Sequence, residues 1–252
     1  MAVTTNSVVP DSGPWPTIQQ SVDRGVIDEA FGRKVTRANK TLIIGAVICG
    51  SMALGPFGAV ILIVGFILTR RVEKLGYLIR PWPVTIMGVF CLVDAGVNMM
   101  GWALVSIAHD AHLAQTFYFW YGSAIDAAYY YGFNTHAISG QVATVSETVL
   151  QWSTVFLLMP MRIAGAIGFL NMKRWGLQVM IITGWMYAFL WAAYALQFTL
   201  QPERYATTYG LVGWWLINIW YITPFVMLPF LYVVKRDLWA DDRELVPTKS
   251  AY

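Results

Sequence analysis

The chain alternates long uncharged runs with short charged ones. No Asp, Glu, Lys or Arg interrupts residues 41–69, and further apolar runs cover Val84–Ala108, Val145–Leu170, Leu177–Thr199 and Gly210–Val234. As helices, runs of this length can cross a hydrocarbon layer of about 30 Å, so the pattern predicts an all-α integral membrane protein. Residues 1–16 are rich in Pro, Ser, Thr and Gly and read as an extended tail. Between Ser21 and Lys40, Val22, Val26, Ile27 and Phe31 recur near helical spacing. That predicts a short amphipathic helix, lying on the bilayer surface or docked to a soluble partner. The expected organisation is a cytoplasmic tail with this helix over 1–40, a transmembrane domain over 41–234 and a second cytoplasmic tail over 235–252.

The first apolar run has two readings. As one helix its 29 residues would measure about 44 Å, longer than a bilayer core, and "LGPFG" at Leu54–Gly58 interrupts it with a proline and two glycines. It is therefore either one tilted, kinked span or a hairpin of two shorter helices that enters and leaves on the same side. Charge favours the hairpin. With it, Arg24 to Lys40, Arg70 to Arg80, Lys173 with Arg174, and Lys235 to Lys249 all fall on one side, leaving Arg204 alone on the other. A single span divides the same charges six to ten, a poor asymmetry. The positive-inside rule then gives a helical hairpin plus four transmembrane helices with both termini cytoplasmic, and five spans as the alternative.

Composition agrees with this class. At 57% hydrophobic and 12% charged the chain lies outside ordinary globular usage. The net charge of +3 says nothing about nucleic acid, and for lack of a dense Lys/Arg cluster no nucleic-acid partner is expected. About 40 mixed polar residues precede the first apolar run. That is the wrong layout for a cleavable signal peptide, and the expected location is the inner (cytoplasmic) membrane, multi-pass.

Candidate chemistry is concentrated between Val84 and Gly140, which contains Cys91, Asp94, Asn98, Asp110, Asp126 and all three histidines, His109, His112 and His136. Depth follows from helix rise. Cys49 and Cys91 lie about 10 to 12 Å from a cytoplasmic helix end, Asp94 about 15 Å and Arg162 about 12 Å, so these four can meet. An ionisable group within a span is costly. Asp94 and Arg162 are thus either a structural ion pair or a pair that moves protons to, or hydrogen-bonds, a quinone-like carbonyl. Each cysteine taken singly reads first as a small packing residue, and it is the pair at matched depth that brings in the metal-ligand reading. His109 and His112 are three apart and share a helix face, so both can reach one metal, or one can bind while the other is held by a neighbouring carboxylate. Axial ligation of one haem b by His136 with His109 or His112 is the alternative. The aromatic clusters Phe117–Tyr121 and Tyr129–Tyr131 suit a loop at headgroup level, where Tyr118, Trp120 and Tyr129 are candidate cofactor-contacting residues. Trp and Tyr in the last two runs read as packing and interface anchors.

An apolar anchor with polar cytoplasmic ends, two cysteines, a histidine pair and an aromatic outer loop resembles the membrane anchor of actinobacterial haem-free succinate dehydrogenases, over roughly Thr41–Val234. The resemblance implies a respiratory complex in which a flavoprotein subunit oxidises succinate and an iron-sulfur subunit passes electrons to this anchor and on to a quinone. It allows an oligomer of the whole complex. It also implies a membrane-embedded Rieske-type [2Fe-2S] cluster, with Cys49, Cys91, His109 and His112 as its ligands. An unbroken helix would separate Cys91 from His109 by about 27 Å, so that ligand set requires a bend, near Gly96 or Gly101 for example, or a different span assignment; otherwise His136, an aspartate or a partner subunit supplies part of it. The competing functions are a small-solute transporter, which a broken hairpin and buried charge would suit, and a non-catalytic scaffold.

Overall fold

The computed structural model describes residues 18–23, 25–51, 54–103, 153–200 and 223–238. Their regular structure is helical, without a strand. In chain order the helices are α1 (Ile18–Asp23), α2 (Glu29–Gly50), α3 (Gly55–Lys74), α4 (Trp82–Ala103), a π-helical turn (Thr154–Leu158) leading directly into α5 (Met159–Leu170), α6 (Arg174–Leu200) and α7 (Thr223–Leu238). Two segments, Gly55–Lys74 and Trp82–Met100, are long and apolar enough to cross a membrane.

The amphipathic stretch is divided rather than continuous. Gly25 adopts a left-handed φ of 69° after α1, a conformation open to glycine. Asp28 then caps α2, its carboxylate accepting from the Phe31 N–H at 2.6 Å. From there α2 continues through Lys40 into the apolar run without a break. Val22 and Phe31 pack with Ile27, Val35, Val72 and Tyr77 around the end of α3, and the Ser21 and Tyr77 hydroxyls are 2.9 Å apart. Thus Val22, Ile27 and Phe31 are used within the chain, whereas Val26 faces outward.

The first apolar run forms a hairpin. Pro56 stands in the first turn of α3, where no intrahelical donor is needed, so it starts a helix instead of kinking one. The two helices approach backbone to backbone in antiparallel register. A Cβ built on Gly65 would lie 2.5 Å from Leu42 Cα, on Gly45 2.6 Å from Leu62 Cα, and on Gly58 2.5 Å from Cys49 Cα. Only glycine permits that separation, as in close-packed membrane helices. At the tip, a Cβ on Gly96 would sit 2.9 Å from Gly50 Cα. The hairpin therefore ends against α4 about 21 Å along that helix from Trp82.

One end of the bundle is tied together by a buried arginine. Arg80, 2% exposed, precedes α4 and donates from Nη1 to Asn39 Oδ1 on α2 and to the Leu170 carbonyl ending α5, and from Nε to Thr85 Oγ1. Asn39 in turn donates to Asn171 at 2.8 Å. The charged guanidinium is compatible with the negative end of α5. Burial lowers its pKa to about 9, still cationic at neutral pH. Nearby, Arg70 lies 4.0 Å over the Trp82 ring and Trp82 Nε1 donates to Glu73. The central core joins Leu42, Leu92, Phe169, Met180 and Leu231 from five helices.

α5 and its π-helical turn account for the described part of the Val145–Leu170 run. Pro160 follows the wide turn; it has no N–H for the residue four positions back, and its ring crowds that carbonyl, which a π turn relieves. Met172, with φ 57°, makes the tight turn into α6. α7 carries the described part of Gly210–Val234 and contains Pro229.

Candidate functional site

Asp94 and Arg162 come together at the centre of the bundle. α4 presents Asp94 and α5 presents Arg162, and Arg162 Nη2 lies 3.2 Å from Asp94 Oδ2 with both side chains essentially inaccessible. Asn98, one turn beyond Asp94 on α4, donates to Asp94 Oδ1 at 3.0 Å and to its carbonyl at 2.8 Å. The carboxylate is therefore held through both oxygens, one by a neutral amide and one by a cation.

α6 and α7 complete the surroundings of the guanidinium. Its central carbon lies 4.8 Å from the Tyr187 ring centroid, a cation–π arrangement that is strengthened where water is excluded. Met227 Sδ is 3.8 Å from Arg162 Nη2 and 3.1 Å from Cys91 Sγ. Four helices thus meet around one charge pair.

The pair is not saturated. Its single 3.2 Å contact is longer than the about 2.7 to 2.9 Å usual for a charge-assisted bond and lacks the two-pronged geometry that arginine and carboxylate can adopt. Arg162 Nε and Nη1 are buried and have no hydrogen-bond partner among the described residues. Leaving a buried donor unmade costs about 1 to 3 kcal/mol, more for a charged group. Such donors suit an oxygen atom brought in from outside the chain, on a ligand or a water.

The remaining expected residues divide clearly. Cys91 is fully buried beside this site with its thiol directed at Met227. Cys49 is half-buried in the α2–α3 seam, where its backbone meets Gly58. α4 is helical through Ala103, past both glycines at which a bend was considered. Among the described residues no three metal-capable side chains cluster, and of the four expected cluster ligands only Cys49 and Cys91 lie among them. His109, His112, His136, Tyr118, Trp120 and Tyr129 lie outside the described residues.

Sequence reading took Tyr187 only as a packing or interface anchor and overlooked Met227. Tyr187 lies ten residues into the run from Leu177, about 15 Å along a helix, which matches the depth of Asp94. Its depth was a usable signal; nothing in the sequence marks Met227.

No protein family, curated protein or solved structure matches this chain.

Proposed function

We propose that this chain is the membrane anchor and electron-transfer subunit of a succinate:quinone oxidoreductase, receiving electrons from a soluble iron-sulfur subunit and delivering them to a quinone beside Asp94 and Arg162. The observation that carries the reading is the buried, incompletely bonded Arg162 guanidinium next to a carboxylate. A quinone carbonyl is an acceptor for N–H donors. On reduction it gains two electrons, supplied by the iron-sulfur partner, and two protons. Arg162 would stabilise negative charge on the oxygen as electrons arrive, and Asp94 would accept a proton and hand it to that oxygen.

Membrane embedding is supported by outward-facing apolar side chains on the long helices, including Val47, Phe57, Val60, Phe90, Phe189 and Val226. Such faces are unusual on a monomeric soluble protein. With the charge distribution they favour a hairpin plus four spans in the cytoplasmic membrane, with both termini cytoplasmic. The succinate-oxidising partners and the Rieske-type cluster follow from the sequence resemblance. When bound, such a cluster would supply one-electron transfer at a potential raised by imidazole ligation. The described residues do not by themselves fit such a cluster: α4 stays helical from Cys91 through Ala103, the Cys91 thiol turns to Met227, and Cys49 lies in the α2–α3 seam.

The experiment is to replace Asp94 by Asn in the assembled complex. Quinone reduction should fall while succinate oxidation by a soluble artificial acceptor persists. Equal retention of both activities would overturn the assignment of the site. A transporter is the second reading, favoured by a hairpin whose tip stops against α4 at Gly96, short of that helix's end.

A further inference from the structure

A groove of about 1150 Å³ opens between the α1–α2 segment and the turn joining α5 to α6. Its charged wall is formed by Arg37 and Lys40 of α2 and by Lys173 of the turn. Glu29 is the acidic residue on that wall, and Arg33 holds its carboxylate at 2.7 Å. None of Arg37, Lys40 and Lys173 has an ion-pair partner among the described residues. Three uncompensated cations therefore converge on one concavity.

The composition of the groove changes along α2. Arg37, Lys40, Thr41 and Ile44 line the groove along one stripe of α2, and the exposed Val47 continues that stripe outside it. Ile44 is 51% and Val47 41% exposed, and Trp175 on the opposite wall is 40% exposed. Cationic groups thus lead, over about 10 Å, to an outward apolar surface. We propose that this groove holds an anionic phospholipid of the cytoplasmic leaflet, its phosphate between Arg37, Lys40 and Lys173 and an acyl chain along Ile44 and Val47. An acidic peptide would match the cations and leave the apolar stripe unused. A zwitterionic lipid would bring its own cation into the basic pocket. Basic pockets on the cytoplasmic side of membrane helices are suited to anionic headgroups.

The inference rests on the membrane reading, so the test separates the two. Membranes containing the full chain are washed with alkaline carbonate, and the retained protein is taken into mild detergent. It is then exposed to equal amounts of phosphatidylglycerol and phosphatidylcholine, and bound lipid is read by native mass spectrometry. Phosphatidylglycerol should be retained at least about tenfold over phosphatidylcholine. Arg37→Gln with Lys40→Gln should bring the ratio close to one, whereas Lys34→Gln with Lys235→Gln, an equal charge loss away from the groove, should leave it unchanged. If the first pair fails to fold, the wild-type ratio still decides. Equal retention of the two lipids by wild type overturns the proposal, as does displacement of phosphatidylglycerol by millimolar inorganic phosphate or by polyglutamate. Release of the chain into the carbonate supernatant would instead remove the membrane reading, and this inference with it.

Discussion

Arg162 Nη2 lies 3.2 Å from Asp94 Oδ2, joining residues 68 positions apart in the chain at a point where neither side chain meets solvent. Desolvating both charges offsets most of their attraction, so such a pair adds little stability as a unit yet is costly to break. Asp94→Asn or Arg162→Met alone should lower the stability of the detergent-solubilised protein by about 3 to 5 kcal/mol. The double substitution should recover most of that loss without restoring quinone reduction. Thermal unfolding of the four proteins measures the first effect and turnover the second. Recovery of turnover in the double mutant would show that the pair has only a structural role.

The hairpin seam gives an independent prediction. Gly65→Val places new atoms against Leu42, where even a Cβ would be 2.5 Å from Leu42 Cα. Overpacking of this kind costs about 1 to 3 kcal/mol when neighbours can move, and here the obstacle is backbone. The melting temperature should fall sharply. An unchanged value would mean that α2 and α3 do not touch as described.

The polar tie at the other end is tested by Asn39→Ala. That change removes one of the two acceptors of Arg80 Nη1 and the donor to Asn171 together, leaving Nη1 only the Leu170 carbonyl. A loss of about 1 to 3 kcal/mol is expected because a buried cation is left short of a partner. Asn39→Asp keeps an acceptor and adds a counter-charge for Arg80, and should be tolerated better. If both variants unfold like wild type in a denaturant titration, the network contributes nothing.

Helix rise alone was enough to place Asp94 and Arg162 at compatible depths, because straight helices convert residue number into distance. The hairpin was legible from charge asymmetry, and the structure adds the reason for "LGPFG": Pro56 opens α3, and Gly58 lets its backbone reach Cys49. Arg80 was not legible as a buried residue. In sequence it is one of several loop cations, and only the tertiary approach of the end of α5 and Asn39 removes it from water. Met227 escaped for a similar reason, since its role depends on which face of α7 meets Cys91 and Arg162. Val22, Ile27 and Phe31 gave the correct apolar face but no indication that the chain itself would cover it.

Topology has its own test. A reporter placed in the loop at Gly76 and another fused after Ser250 should both read cytoplasmic if the first apolar run enters and leaves on one side. An external reading at Gly76 would require one long span instead.

The proposed electron-transfer role is tested most directly by succinate-to-quinone electron transfer in the complex purified through a tag on this chain. The account predicts a coloured complex with flavin-containing and iron-sulfur partners that reduces quinone, and loses that activity on Asp94→Asn while still reducing a soluble acceptor. A colourless chain that leaves the membrane alone and supports no succinate-dependent quinone reduction would contradict it.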